Sequence, residues 1–221
     1  MASIGLSTNT LVNGPTNYDR LKKAGLMAAS IEKIRRAELA EAALGTLAEF
    51  GFSRTTVSRV AERAGLSQGL VHHYFKSKSD LLEVAMRQLN AKSREEVLER
   101  VRRARTNREK LYAVTRALFL PDLFERGFAQ AWLAFCGEAA FTPAYARIQR
   151  VMFRRMHSNV SWYLRSLLPP AQVELAARTI CMHSHGIWLR CALDSQPITL
   201  DQAVEQMHNL LDRLLAQPAP R

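Results

Sequence analysis

From Ser30 onward the apolar positions return at intervals of three and four. Ile31, Ile34, Leu39, Ala42, Ala43, Leu47 and Phe50 follow that spacing, with Ser30 placed to cap and Gly51 to terminate, which predicts a first helix over about residues 30–51. Residues 1–28, rich in Ser, Thr, Asn and Gly, show no sustained period and read as a flexible N-terminal arm. Val57, Val60 and Ala61 mark a short helix that stops at Gly65, and Leu70 and Val71 mark a second one opened by Ser67. A long helix follows from Asp80 to about Arg105, carried by Leu81, Leu82, Ala85, Leu89, Val97, Leu98 and Val101. Five more amphipathic segments are expected at about 107–120, 127–140, 143–168, 170–194 and 199–216, with Pro121, Gly127, Pro143, Pro169, Pro170 and Pro197 at their ends. No segment alternates with the period of a strand. The expected fold is all-α, with an arm at 1–28, a small three-helix domain at 29–76 and a larger helical bundle at 77–221.

The two short helices carry the most specific chemistry. A short helix, a glycine turn and a second short helix have the size and order of a helix-turn-helix that reads the DNA major groove. Gly65 supplies the backbone freedom of the turn. Ser67 stands where an N-cap is wanted, which leaves Gln68 and Gly69 at the leading end of the second helix. Gln68 presents a donor and an acceptor together, the geometry that pairs with adenine, and Gly69 lets the backbone approach the groove. Thr55, Thr56, His72, His73, Tyr74 and Lys78 suit phosphate contacts, which set register and affinity.

Charge agrees with a polyanionic partner: 31 Lys and Arg against 20 Asp and Glu leave a formal +11. The arginine-rich stretch Arg100 to Arg108 is read differently, as a solvated helix face whose interleaved Glu95, Glu96, Glu99 and Glu109 offer local pairs. The three cysteines, Cys136, Cys181 and Cys191, are odd in number, widely spaced and set in apolar surroundings, and read as buried thiols in a reducing compartment. With no apolar run long enough to span a bilayer and no signal-peptide order at the N-terminus, the expected location is the cytoplasm, without membrane association. Neither His72/His73 nor His183/His185 has the spacing of a zinc site, and no phosphate-binding glycine loop, GxSxG or paired catalytic carboxylate occurs. A regulator rather than an enzyme, with no metal and no cofactor, is the expectation.

The string TVSRVAERAGLSQGLVHHYFKSKSDLL resembles the signature of the TetR family of bacterial repressors, with Gly65, Ser67, Gly69, Tyr74, Phe75, Lys78 and Leu81 at the recurring positions and Ala43, Phe50, Gly51 and Thr55 matching upstream. That resemblance implies a homodimer whose two heads bind a near-palindromic double-stranded operator and release it when a small molecule binds the C-terminal domain. The apolar stripes of the last two helices, Ile180, Ile187, Leu189 and Leu193, then Val204, Met207, Leu210, Leu211 and Leu214, suit a four-helix interface between subunits or packing within one subunit.

For the effector, Trp132, Phe135 and Glu138 recur at threes, and His185 and Trp188 repeat the spacing. Such residues serve as core or as an aromatic and acidic cage for a quaternary ammonium. The segments AWLAF, RRMHSN and GIWLRCAL resemble the choline-responsive repressors within the same family, which implies ligand contacts at Trp132, Phe135 and Trp188. The chain departs from that group at Cys136, where a second Trp usually follows the Phe, and at His185, where an Asp usually precedes the Gly. Choline or a related amine, or a different small molecule controlling an unrelated operon, are both open at this level.

Overall fold

The computed structural model describes residues 17–119, 121 and 123–216. Nine helices account for its regular structure: α1 Asn17–Arg54, α2 Val57–Arg63, α3 Gln68–Tyr74, α4 Lys78–Arg103, α5 Asn107–Arg116, α6 Arg126–Ala139, α7 Pro143–Leu164, α8 Pro170–Leu193 and α9 Leu200–Ala216. The all-α expectation holds among these residues, and apart from the start of α1 the predicted segments fall within a few positions of the observed ones.

Helix α1 starts at Asn17, so part of the segment read as a flexible arm is helical. Residues 17–29 lack a long apolar stripe, the signal on which that reading rested, yet they are rich in strong helix formers such as Leu, Lys and Ala. The remainder of the arm, residues 1–16, lies outside the described residues. At its other end α1 breaks at Gly51, whose φ of 74° is left-handed, a conformation that costs a residue with a Cβ more than it costs glycine.

Local polar chemistry sets the helix starts. Thr56 caps α2 by accepting from the Arg59 N–H at 3.3 Å, Ser67 caps α3 from Leu70 N–H at 3.2 Å, and Ser77 caps α4 from Asp80 N–H at 3.1 Å. Thr106 and Glu109 form a reciprocal capping box at the start of α5.

A first core joins Leu39, Leu44 and Leu47 of α1 to Val60, Val71 and Phe75, to Leu81, Leu82 and Leu89 of α4, and onward to Phe128 and Phe135 of α6. It therefore passes without a break across residues 76 and 77. A second core fills the bundle with Leu111, Val160, Leu164, Ile180, Met207 and Leu211 from α5, α7, α8 and α9. Trp188 packs against both.

Helix α6 packs tightly against α1 at Gly127 in its first turn. A Cβ there would lie 2.3 Å from the Ala48 carbonyl oxygen of α1, so only glycine permits this contact.

Candidate DNA-reading head and effector cleft

Two short helices become a rigid reading unit through the turn between them. After Arg63 the chain turns left-handed at Gly65, with φ 66°. Gly65 N–H donates to Glu62 C=O at 3.0 Å and Leu66 N–H to Ala61 C=O at 2.9 Å, which is a Schellman closure that satisfies the terminal carbonyls of α2. Val60, Ala61 and Val71 are buried on the inner side. Gln68, Gly69, His72 and His73 are left exposed along α3, and Ser67 and Thr56 are exposed at the two caps. The hydroxyl oxygens of Thr56 and Ser67 accept the capping bonds, which leaves each O–H able to donate.

Three of the residues expected at phosphates also make contacts within the head. Thr55 is 1% exposed, and its hydroxyl donates to Gly51 C=O at 2.8 Å, stapling the left-handed turn to α2. The Lys78 ammonium donates to Phe52 C=O at 2.8 Å and sits 4.9 Å from the centre of the Phe52 ring. Burial lowers its pKa, an effect opposed by the charge of Glu138. Tyr74 is half-buried, and its carbonyl accepts from Arg36, whose guanidinium lies 4.4 Å over the Phe75 ring. Sequence reasoning missed Arg36, Arg54 and Lys76. Arg36 fixes the exit of α3, while Arg54 and Lys76 are exposed cations beside the reading surface. Their only sequence signal was proximity to the motif.

In the bundle, α4, α6, α7 and α8 enclose a cleft of about 330 Å3. Trp132, His185 and Trp188 all line it, as the sequence grouping expected. Trp132 stacks on His185 with ring centres 6.0 Å apart and planes 24° from parallel, and stands 6.0 Å from Trp188. The Trp188 indole donates to Leu118 C=O at 3.2 Å, which fixes the ring. Phe153, 4.6 Å from His185, extends the aromatic wall from α7. It was missed because the sequence placed no partner for α7.

Phe135 and Glu138 are not part of this cleft. Phe135 is buried in the first core, 5.1 Å from the Tyr145 ring. Glu138 is exposed and acts electrostatically on Lys78 and Tyr145. Steps of three fall short of a full helical turn, so Trp132 and Glu138 are about 120° apart around the axis and about 9 Å apart along it. The expected face therefore splits. Among the described residues, the charged ones that line the cleft are Arg94 and Arg155, with no carboxylate beside them. Burial lowers the pKa of His185, which keeps it neutral at physiological pH. Burial also pushes the Cys136 thiol up to about 11, so it stays protonated and inert.

Sequence comparison agrees with both halves. The profile of "Bacterial regulatory proteins, tetR family" matches residues 39–85, and that of "BetI-type transcriptional repressor, C-terminal" matches residues 107–216. The HTH-type transcriptional regulator BetI of Cronobacter sakazakii is 34% identical over 192 residues, covering 86% of this chain and 95% of that protein. A transcriptional regulator from Rhodococcus sp. Rha1 superposes with a TM-score of 0.72 at 26% identity, over 81% of this chain and 95% of that one. A regulator from Saccharomonospora viridis in complex with choline gives 0.74 at 17% identity, over 81% and 96%, a likeness of fold. With a helix-turn-helix head, a BetI-type C-terminal bundle and a curated relative aligned over most of its length, the chain belongs to the TetR family of bacterial transcriptional regulators, in its BetI-type branch of repressors.

Proposed function

We propose that this repressor reads its operator through Gln68 and Gly69 at the leading end of α3, and that a small molecule in the cleft between α4, α6, α7 and α8 controls the grip. The exposure of Gln68 on a framed α3 is the observation that carries the first half. Thr56, Ser67, His72 and His73 stand beside it for phosphate contact, joined by Arg54 and Lys76. Thr55, buried, supports the head from within as a positioning residue, while the half-buried Tyr74 and Lys78 stay among the phosphate contacts.

Helix α6 links the two sites. Gly127 rests on Ala48 of α1, and Trp132 enters the cleft five residues later, about 7.5 Å along the same helix. A ligand that displaces Trp132 thus acts on α1 through one stiff element, and its effect is limited to its differential affinity for the two head positions.

The protein acts as a homodimer, and α8 supplies the surface. Ile180, Ile187, Met207 and Leu211 are buried within the subunit, whereas Leu175, Met182, Leu189 and Leu193 are exposed on α8, the first two at 71% and 64%. Leu175, Met182 and Leu189 are seven residues apart and share one face, an apolar stripe that suits a second copy of the same helix. A two-fold pair of heads calls for a near-palindromic operator. Such a regulator works where the chromosome is, in the cytoplasm.

A quaternary amine such as choline is a second reading of the effector, favoured by the ring faces of Trp132 and Trp188. Its counter-charge, however, is not in the cleft. Selection of bound sequences from a random DNA pool, with and without candidate effectors, tests head and sensor together. Recovery of a two-fold symmetric motif is expected; purely salt-sensitive binding with no enriched motif would remove the reading.

A further inference from the structure

We infer that the effector of this protein is an amphipathic organic anion, its apolar body against the aromatic wall and its acidic group on Arg94 and Arg155; the inference rests on the cleft being the effector site. Two observations carry it. The inner wall is apolar and aromatic, formed by Trp132, Phe153, Trp188, Met152 and Met156 together with a neutral His185. The charged residues lining the same space are both arginines, and neither forms an ion pair among the described residues. Eight other arginines are paired with carboxylates, among them Arg87 with Glu83 and Arg100 with Glu96, while many on the surface are not, so it is the place of Arg94 and Arg155 on the cleft, with no carboxylate in its described lining, that carries the argument.

The charge extends past the mouth. Asn90, Arg94 and Arg155 also border a neighbouring cleft of about 350 Å3, where Arg87, Arg147 and a single carboxylate, Glu95, complete the charged lining. A cation entering this region meets two unpaired guanidinium groups before it reaches the rings. An anion meets forked donors of matching geometry, and is drawn in by the same field. Asn90 and Asn159 add neutral polar groups at the cleft, able to orient the ligand without cancelling its charge. Carboxylate and phosphate share this recognition chemistry, and both belong in the test.

Calorimetry on the full chain with phenylacetate, phenyl phosphate, phenylacetamide and choline distinguishes the classes. At least one anion should bind about tenfold or more tighter than the amide and than choline, and Arg94→Gln and Arg155→Gln should each weaken that binding about tenfold. Both arginines are exposed, so an unchanged Tm verifies that the variants fold. The inference is overturned if choline binds more tightly than both anions, if anion binding survives both arginine variants, or if neither anion binds at roughly 10 mM. Operator release separates this inference from the site beneath it. Release by choline that is lost in Trp132→Ala keeps the cleft and removes the anion. Release by any of the four compounds that persists in Trp132→Ala removes the cleft as effector site, and the anion assignment with it.

Discussion

Replacing Gly127 by alanine probes the joint between sensor and head. The new Cβ would sit 2.3 Å from the Ala48 carbonyl oxygen, and ordinary contact begins at 3.4 Å, so α6 and α1 must separate by about 1 Å. Both partners are helical backbone, with no side-chain torsion to absorb the clash. Overpacking of this kind costs about 1–3 kcal/mol, while exchanging glycine for alanine in a helix returns up to about 1 kcal/mol. The clash wins, and a net loss of about 1–2 kcal/mol is expected, which for a chain of this size lowers Tm by roughly 2–8 °C. Gly137 lies on the same helix with nothing within 4 Å of an added Cβ. Gly137→Ala should therefore raise Tm slightly, giving opposite signs for one substitution at two positions of α6. Thermal unfolding followed by circular dichroism measures both, and operator titration should show weaker binding for Gly127→Ala alone. A Gly127→Ala protein as stable as Gly137→Ala would refute the close approach and the coupling built on it.

Four further outcomes are expected. Gln68→Ala should lose about 1–3 kcal/mol of operator affinity while its non-specific, salt-dependent binding stays unchanged in gel-shift titrations; equal loss on both kinds of DNA would make Gln68 a phosphate contact. Met182→Glu, at a 64%-exposed position on α8, should yield a folded monomer in analytical ultracentrifugation, and an intact dimer would place the interface elsewhere. Thr106→Ala removes the capping box of α5 and should cost about 1 kcal/mol in denaturant unfolding, with no effect on operator choice. Stability should fall as pH drops from 7.5 to 5.5, because burial lowers the folded-state pKa of His183, His185 and His208 and the unfolded chain then binds more protons. The Nε2 atoms of His183 and His208 are buried with no hydrogen-bond partner among the described residues, so protonation there is poorly compensated; a Tm that rises on acidification would contradict this.

The head was largely legible because its signals are local. Gly65 for a left-handed turn, Ser67 for a cap and Val60, Ala61 and Val71 for an inner face are each decided within a few residues of chain. Thr55, Tyr74 and Lys78 show where that legibility stops. Polar type and nearness to the motif suggested phosphate contacts, but not that Thr55 is buried in a turn, that Arg36 reaches the Tyr74 carbonyl from α1, or that the Lys78 ammonium finds a carbonyl 26 residues upstream.

Helical periodicity, proline placement and caps thus determined the number, type and approximate ends of the helices, because each depends on free energies settled inside a segment. Helix contacts decided the rest. Of the face drawn through Trp132, Phe135 and Glu138, only Trp132 enters the cleft, because a helix turns by more than three residues and different neighbours cover its successive sides. Of the stripe on α8, Ile180 and Ile187 turn inward while Leu175 and Met182, passed over in the sequence, remain outside. The sign of charge in the cleft was likewise invisible along the chain: Arg94 and Arg155 lie on α4 and α7, sixty-one positions apart, and meet Trp132 and His185 only when the bundle helices pack around one space.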